Sequence, residues 1–409
     1  MLNSDTLRKL HHNPLILPLY LPTLVLAFCQ GLLVPILPLY IRAFDVSYGL
    51  IGLVLAGEAL GMLLGDVPAG LLLSRLGQKR AMLLSVSCVV LATVALVWAT
   101  SIPEALLYRL VSGFGLALYN ISRHAYMATA ITLANRGRAI ALFGGINRIG
   151  RFAGPAAGGF VGAAFGLRAP FLLFGATCLI ALLAMAIFIR INEVAIRPAS
   201  STPRSHLKHF GATLKAHYRI LASAGVGQLF AQMIRAGREV IIPLYAADVI
   251  GLDVQAIGLV VSSAAAIDMS LFYPAGLIMD RLGRKFAIIP SFFTQAVGMA
   301  LLPFAWNFTS LLFVAGLIGF GNGLGSGTML TLGADLAPAE SRGEFLGLWR
   351  LIGDIGFTGG PLVVGAIADL VVLPTAALAI SGAGLMAVLI FTLLVPETLN
   401  KKLRIVEAT

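Results

Sequence analysis

Long apolar stretches follow one another along almost the whole chain, from Pro14 to the residues just before Glu397. Most are about 20 residues or longer, the length that an α-helix needs to cross the hydrocarbon core of a bilayer. Charged residues and Pro- or Gly-containing breaks separate them. The predicted spans are 14–41, 48–73, 81–100, 103–133, 139–165 and 168–190, then 219–248, 254–279, 286–306, 308–336, 345–369 and 372–396. The pattern predicts an all-α integral membrane protein with twelve transmembrane helices.

Composition and charge support this class. The 409 residues are 58% hydrophobic and 11% charged, against about 25% charged in soluble domains. Lys and Arg concentrate in alternate loops and at both chain ends, whereas the opposite loops hold only Arg42 and Arg168. By the positive-inside rule, both termini and the central loop are predicted to be cytoplasmic, in a multi-pass protein of the cell membrane. The net charge of +11 is thereby explained, and no soluble domain is present to bind nucleic acid.

An internal repeat relates the two halves. The segment from Pro68 to Arg80 reappears from Pro274 to Phe286, displaced by 206 residues, and two shorter matches have the same displacement. Those matches are Arg136-Gly137 with Arg342-Gly343, and Gly154-Pro155 with Gly360-Pro361. The repeat predicts two six-helix bundles, 1–190 and 219–409, related by a pseudo-two-fold axis along the membrane normal and joined by a cytoplasmic linker, 191–218.

Four motifs lie in or between these spans. The loop after span 2 reads Gly70-x3-Ser74-Arg75-x-Gly77-x-Lys79-Arg80, and the loop after span 8 reads Gly276-x3-Asp280-Arg281-x-Gly283-Arg284-Lys285. Glycine permits a tight turn there, and basic residues suit a helix C-terminus on the cytoplasmic side. Span 4 contains Arg109-x3-Gly113-x-Gly115, and span 5 contains Gly150-x3-Gly154-Pro155-x2-Gly158-Gly159. For span 5, a kink that only serves close helix packing is the structural alternative.

These motifs resemble the signatures of the major facilitator superfamily, in particular its twelve-span drug/proton antiporter branch, over the whole chain. The resemblance implies a secondary active transporter that moves a small organic or amphipathic molecule by alternating access, as proton-coupled efflux. It links Arg109 to proton movement and the span 5 motif to export. In the family, the acidic position of the first loop is thought to bridge the halves. Here that position is Ser74, and the second copy keeps the charge as Asp280.

Ionisable residues inside the apolar stretches are candidates for the transport path, because each costs about 2.5–3.5 kcal/mol at the membrane centre even on insertion scales. The proton-coupling candidates are Glu58, Asp66, Arg109, Asp268, Asp354 and His124. The substrate-cavity candidates are Arg123, Arg148, Arg151, Arg235, Arg238, Glu239 and Arg350. In the family fold, spans 2 and 11 meet, as do spans 5 and 8. The resemblance therefore implies pairs of Glu58 or Asp66 with Arg350, and of Arg148 with Asp268.

Two substrate hypotheses remain open from the sequence. The surplus of buried arginines favours an organic anion or anionic amphiphile, taken up or exported, as the alternative to drug efflux. Against that surplus, Arg235 and Glu239 are four residues apart and could neutralise each other.

Other classes fit the sequence less well. The sequence has no Gly-x4-Gly-Lys-Ser/Thr loop for ATP, no metal-ligand spacing and no nucleophile–base set, so an enzyme is not expected. A sensor would need a soluble output domain. We therefore expect a monomeric carrier without a bound cofactor, with protons as the coupling ion and the lipid bilayer and a small-molecule substrate as its partners.

Overall fold

The computed structural model describes residues 16–130, 136–189 and 214–399. Most of the predicted linker and both chain ends lie outside these ranges. The described chain forms α-helices joined by short turns. The helices are α1 (Leu21–Leu33), α2 (Ile36–Arg42), α3 (Tyr48–Ala95), α4 (Ile102–Ala130), α5 (Arg136–Phe165), α6 (Ala169–Phe188), α7 (Tyr218–Tyr245), α8 (Val254–Ser270), α9 (Phe272–Arg281), α10 (Lys285–Leu301), α11 (Phe308–Leu324), α12 (Thr328–Leu336), α13 (Arg342–Leu370) and α14 (Leu373–Leu393). π-Helical turns at Ile16–Tyr20 and Ala246–Ile250 extend α1 and α7.

The predicted all-α membrane fold is confirmed, and most helix ends lie within a few residues of the predicted ones. Glycine marks two breaks in the helical path, of which the first was predicted and the second was not. Inside α3, Gly77 has φ 74° and separates two predicted spans. The predicted span 308–336 is divided into α11 and α12, with Gly327 at φ 73° before α12. A positive φ is readily adopted by glycine and ends the regular helical path.

Eight helical segments of the described chain are long and apolar enough to cross a membrane. One of them, Tyr48–Trp98, contains the two predicted spans on either side of Gly77. The long helices α4, α5 and α7 are not among the eight, and each carries two of the internal arginines named above as candidates. The structure is therefore consistent with the predicted twelve spans.

Contacts divide the chain into two compact units. The first comprises Met1–Ser200 with Ile242–Ala265, and the second comprises Ser201–Ile241 with Ala266–Thr409. The boundaries of the two predicted bundles stay a prediction.

The first unit is built around two helix pairs, in which α3 runs along α4 and α1 runs along α5, with α6 packed against both α1 and α3. Two cysteines are buried at the α1–α6 contact, where the sulfur atoms of Cys29 and Cys178 are 3.5 Å apart as free thiols. In the second unit, α10 packs against α11 and α14, and α14 packs against α13.

Candidate coupling site and gating clusters

A part-buried ion pair joins α3 to α4 in the first unit. The Arg109 Nη1 atom donates to Glu58 Oε2 at 2.6 Å, and the Ser112 hydroxyl donates to the same oxygen at 3.2 Å. The Arg109 side chain is 9% exposed, whereas that of Glu58 is 24% exposed. The carboxylate balances the charge of a buried cation, so that loss of either charge would leave the other without a counter-ion.

Glycines allow α3 and α4 to approach closely enough for this pair. A Cβ atom added to Gly113 would overlap the Glu58 carbonyl oxygen, and one added to Gly61 would overlap the carbonyl of Leu110. Small residues at such positions let membrane helices come into backbone contact, which the apolar lipid does not otherwise drive. The glycine of the predicted span 4 motif therefore positions the arginine of the same motif.

Other predicted residues lie further along the same helices. Asp66 is half-buried on α3, eight residues and so about two turns beyond Glu58. On α4, the Arg123 guanidinium lies 4.3 Å from the ring centre of Phe143 and 5.2 Å from that of Tyr119. This geometry is a cation–π contact on two rings. The neighbouring His124 is exposed.

The span 5 motif lies where α5 meets two other helices. Added Cβ atoms at Gly154 or Gly158 would overlap backbone atoms of α1, whereas one at Gly159 would lie 2.7 Å from the Val254 carbonyl oxygen of α8. Pro155 lies inside the helix, between these contacts. The motif thus builds close helix packing. Arg148 is half-buried and Arg151 is exposed on the same helix.

In the second unit, four of the predicted charged residues, Asp268, Arg350, Asp354 and Arg235, have local partners. Asp268 accepts a hydrogen bond from Asn322 Nδ2 at 2.7 Å, and Arg350 lies 3.5 Å from Asp354 on the next turn of α13. The Arg235 guanidinium donates to the Gly325 carbonyl at 2.8 Å, at the α11–α12 break. Arg238 and Glu239 are half-buried on α7. The pairs of Glu58 or Asp66 with Arg350, and of Arg148 with Asp268, stay predictions.

The two signature loops share one contact at the same repeat positions. Lys79 Nζ donates to the Ala186 carbonyl at 2.6 Å, and Lys285 Nζ donates to the Thr392 carbonyl at 2.8 Å. The two residues of the second pair each lie 206 positions after their counterparts in the first pair. Lys79 therefore ties its turn to the C-terminal end of α6, and Lys285 ties its turn to the C-terminal end of α14.

The second loop carries an ionic network that the first loop lacks at the matching positions. Arg284 pairs with Asp335 at 2.9 Å and with Asp280 at 3.2 Å. At the repeat positions of Arg284 and Asp280, the first loop has Gln78 and Ser74. The Ser74 hydroxyl bonds to the Leu71 carbonyl of its own helix at 2.8 Å. The remaining signature residues are exposed or half-buried: Gly70, Arg75, Arg80, Gly276 and Arg281.

Glu397, which the motif analysis did not single out, closes this network. Its carboxylate accepts hydrogen bonds from the backbone amides of Arg284 at 2.9 Å and Lys285 at 3.0 Å, at the start of α10. Burial alone would raise the pKa of Glu397, but the backbone amides of Leu399, Lys285, Arg284 and Thr398 together hold that pKa below its ordinary value. A carboxylate at a helix N-terminus is also favoured by the helix dipole.

Replacing Glu397 with Gln is expected to lower the stability of the solubilised protein in a pH-dependent way. Because the folded-state pKa is depressed, the stabilising contribution is complete above the unfolded value, about 4.3, and is lost as the pH falls through the folded pKa. At pH 7 we expect a loss of about 0.5–2 kcal/mol, as for other helix caps. Thermal unfolding of wild type and Glu397→Gln from pH 7 to pH 3 measures it.

The matched control is Glu340→Gln, at an exposed position before α13. The control should unfold like wild type. A difference between wild type and Glu397→Gln that stayed constant down to pH 3 would contradict the capping role.

A second cluster that the motifs did not predict joins the ends of three segments in the first unit. Asp248, whose side chain is 6% exposed, lies 2.6 Å from the Arg42 Nε atom and accepts from the Tyr48 hydroxyl at 2.7 Å. Positions 42 and 248 are equivalent in the repeat. The first repeat supplies the cation, Arg42, and the second repeat supplies the anion, Asp248. Opposite charges therefore hold the end of α2 against the π-helical turn after α7.

These features define a class of protein, a multi-pass membrane carrier with ion pairs inside its helices. The chain belongs to the Major Facilitator Superfamily, because the family's model matches residues 19–231 and 224–408. Its members carry solutes and are not enzymes.

Two relatives and one solved structure illustrate the similarity. The MFS-type transporter MJ1560 of Methanocaldococcus jannaschii is 21% identical over 88% of this chain and 92% of its own. The multidrug resistance protein MdtG of Salmonella typhimurium is 26% identical over 82% and 84%. The crystal structure of the nucleoside transporter NupG superposes with a TM-score of 0.73 at 15% identity, over 92% of this chain and 98% of that one. The structural likeness supports the fold.

Proposed function

We propose that the protein is a proton-coupled exporter of small organic or amphipathic molecules, which works by alternating access as a drug/proton antiporter. It is a monomer in the cell membrane with both termini in the cytoplasm. The observation that carries the proposal is the Glu58–Arg109–Ser112 group, because it sets a partly exposed carboxylate against a buried arginine of a signature motif. The similarity to multidrug resistance protein MdtG supports the direction and the substrate class.

Proton binding at Glu58 couples naturally to a change of conformation. Protonation removes the negative charge and leaves the Arg109 guanidinium, which is 9% exposed, without its counter-ion. An unbalanced buried charge is costly, so a conformation that hydrates Arg109 becomes favoured. Loss of the proton restores the pair and the present conformation. Proton occupancy and conformation are then linked quantities, as antiport requires.

A second candidate function is transport of an organic anion or an anionic amphiphile. It is favoured by the arginines of the first unit, Arg123, Arg148 and Arg151. Arg123 is in addition stacked on two aromatic rings. An arginine beside aromatic rings suits a ligand that has both an anionic group and an apolar body.

Substrate-induced proton movement in reconstituted vesicles tests the two candidates. Hydrophobic cations and organic anions are supplied in turn to wild type, Arg148→Gln and Arg151→Gln, with Arg219→Gln at the exposed start of α7 as the control. Antiport of drugs predicts proton movement with cations that survives both α5 substitutions. A response to anions alone that is lost in either α5 variant, but kept in the control, would contradict drug antiport. It would favour transport of an organic anion instead.

A further inference from the structure

The hydroxyl of Ser262 is inserted into the hydrogen-bond ladder of another helix. The Ala156 amide of α5 donates to Ser262 Oγ at 2.8 Å, and Ser262 Oγ donates to the Phe152 carbonyl at 2.8 Å. In an uninterrupted α-helix, the amide of residue 156 would bond to the carbonyl of residue 152 directly. Here the serine of α8 bridges them. A side chain that enters the ladder in this way is a recognised cause of a bend.

The bridge lies next to Pro155, whose ring nitrogen has no hydrogen to donate. The proline therefore removes the helical bond to the carbonyl of residue 151, and the Ser262 hydroxyl bonds to both groups of the next one along. Two successive hydrogen bonds of the ladder are affected at one place in α5. Bending at this point needs little further loss of hydrogen bonding, which makes it the natural hinge of the helix.

The α5–α8 seam, formed by Phe152, Pro155, Ala156, Gly159, Gly258 and Ser262, is in backbone contact. A Cβ atom added to Gly159 would lie 3.0 Å from Gly258 Cα, and one added to Gly258 would lie 2.9 Å from Gly159 Cα. Ser262 is 5% exposed. At this spacing only a group as small as a hydroxyl can satisfy both the amide and the carbonyl, since an unsatisfied pair would be costly away from water.

The bridge belongs to one repeat only. The counterpart of Pro155 is Pro361 in α13, but the counterpart of Ser262 is Ala56. An alanine has no hydroxyl to insert. The serine is thus present in one repeat only, and the proline occurs in the other repeat without it.

We propose that Ser262 is a detachable bridge that couples the bend of α5 to the position of α8. While the seam is closed, the hydroxyl is bonded to both the Ala156 amide and the Phe152 carbonyl. When α8 withdraws, the amide and carbonyl pair directly and α5 straightens at Pro155. The consequence for transport rests on the proposed alternating access, whereas the coupling of the two helices does not.

Spin-label distances in the purified, solubilised protein test the coupling. With Cys29, Cys88 and Cys178 replaced by Ala, one label pair at Leu142 and Phe165 reports the bend of α5. A second pair at Leu142 and Leu259 reports the seam. All three label positions are exposed, at 51%, 75% and 45%. In Ser262→Ala, we expect the closed-seam population to fall about tenfold relative to the open one, and the α5 distance to lengthen with it, because two buried hydrogen bonds are lost.

Ser262→Thr, which keeps the hydroxyl, and Ser263→Ala, which removes the neighbouring one, should keep the wild-type distances. If Ser262→Ala changed neither distance, or opened the seam without changing α5, the coupling would be overturned. A threonine variant that behaved like the alanine variant would also contradict it. A wild-type protein that carried none of the substrates tested would overturn the proposed function and leave these distances unaffected.

Discussion

Glu58→Gln is expected to abolish proton-coupled transport and to destabilise the protein. The amide cannot take up or release a proton, and it leaves the Arg109 charge, 9% exposed, without a counter-ion. Removing one partner of a buried pair costs about 3–5 kcal/mol. Uphill transport should therefore fall by at least about tenfold. A tenfold change corresponds to about 1.4 kcal/mol, which is less than the cost of losing the pair. Substrate-induced pH change in vesicles and thermal unfolding measure the two effects.

Two further variants separate stability from coupling. Glu104→Gln changes an acid at the solvent-exposed start of α4, where the carboxylate accepts a hydrogen bond from the Thr100 amide. This variant should leave proton coupling intact. The double variant Glu58→Gln/Arg109→Gln removes both charges, so it should recover much of the lost stability without recovering proton movement. Proton movement that persisted in Glu58→Gln would refute the assignment of the coupling site.

Gly113→Ala is expected to have the largest structural effect of any single methyl group in the first unit. The added Cβ would overlap the Glu58 carbonyl oxygen and lie 2.8 Å from the Met62 amide nitrogen, and backbone atoms cannot turn aside as a side chain can. The α3 and α4 helices would have to separate. Overpacking costs about 1–3 kcal/mol or more, and we expect the melting temperature to fall by about 5 °C. Thermal unfolding of the solubilised protein measures it.

Gly144→Ala is the matched control, since no atom lies within 4 Å of a Cβ added there on α5. An alanine at that open helical position should stabilise slightly, by up to about 1 kcal/mol, because glycine loses more conformational freedom on folding. The two substitutions are therefore predicted to have opposite signs. Equal melting temperatures for both variants would show that α3 and α4 are not in the tight contact described.

Helix positions could be predicted well because they depend on local quantities. The hydrophobicity and length of each segment identified the spans, and the 206-residue repeat identified the matching loops. Gly77 and Gly283 were recognised as turn positions, and both have a positive φ, 74° and 134°. The break at Gly327 was missed, because the span around it is apolar on both sides and glycine is common in membrane helices.

The candidate site was predicted less completely. Glu58 and Arg109 were both identified, since a charge in an apolar stretch is costly wherever it lies. Their pairing could not be read from the sequence, because the two residues are 51 positions apart. Asp248 and Glu397 were missed because each lies at a helix end, where a charge is ordinary. Ser262 was missed because a serine in an apolar helix normally bonds to its own backbone.

The amino-acid sequence by itself determined that this protein is a membrane carrier built from a repeat, because hydrophobicity, periodicity and turn preference are properties of each segment alone. Only the tertiary structure decided which charge neutralises which, and which hydroxyl completes which helix. The reason is geometric. A hydrogen bond needs its two heavy atoms about 2.7–3.2 Å apart and well aligned, and that condition is met between distant segments, such as Ser262 and Phe152, only once the helices have packed.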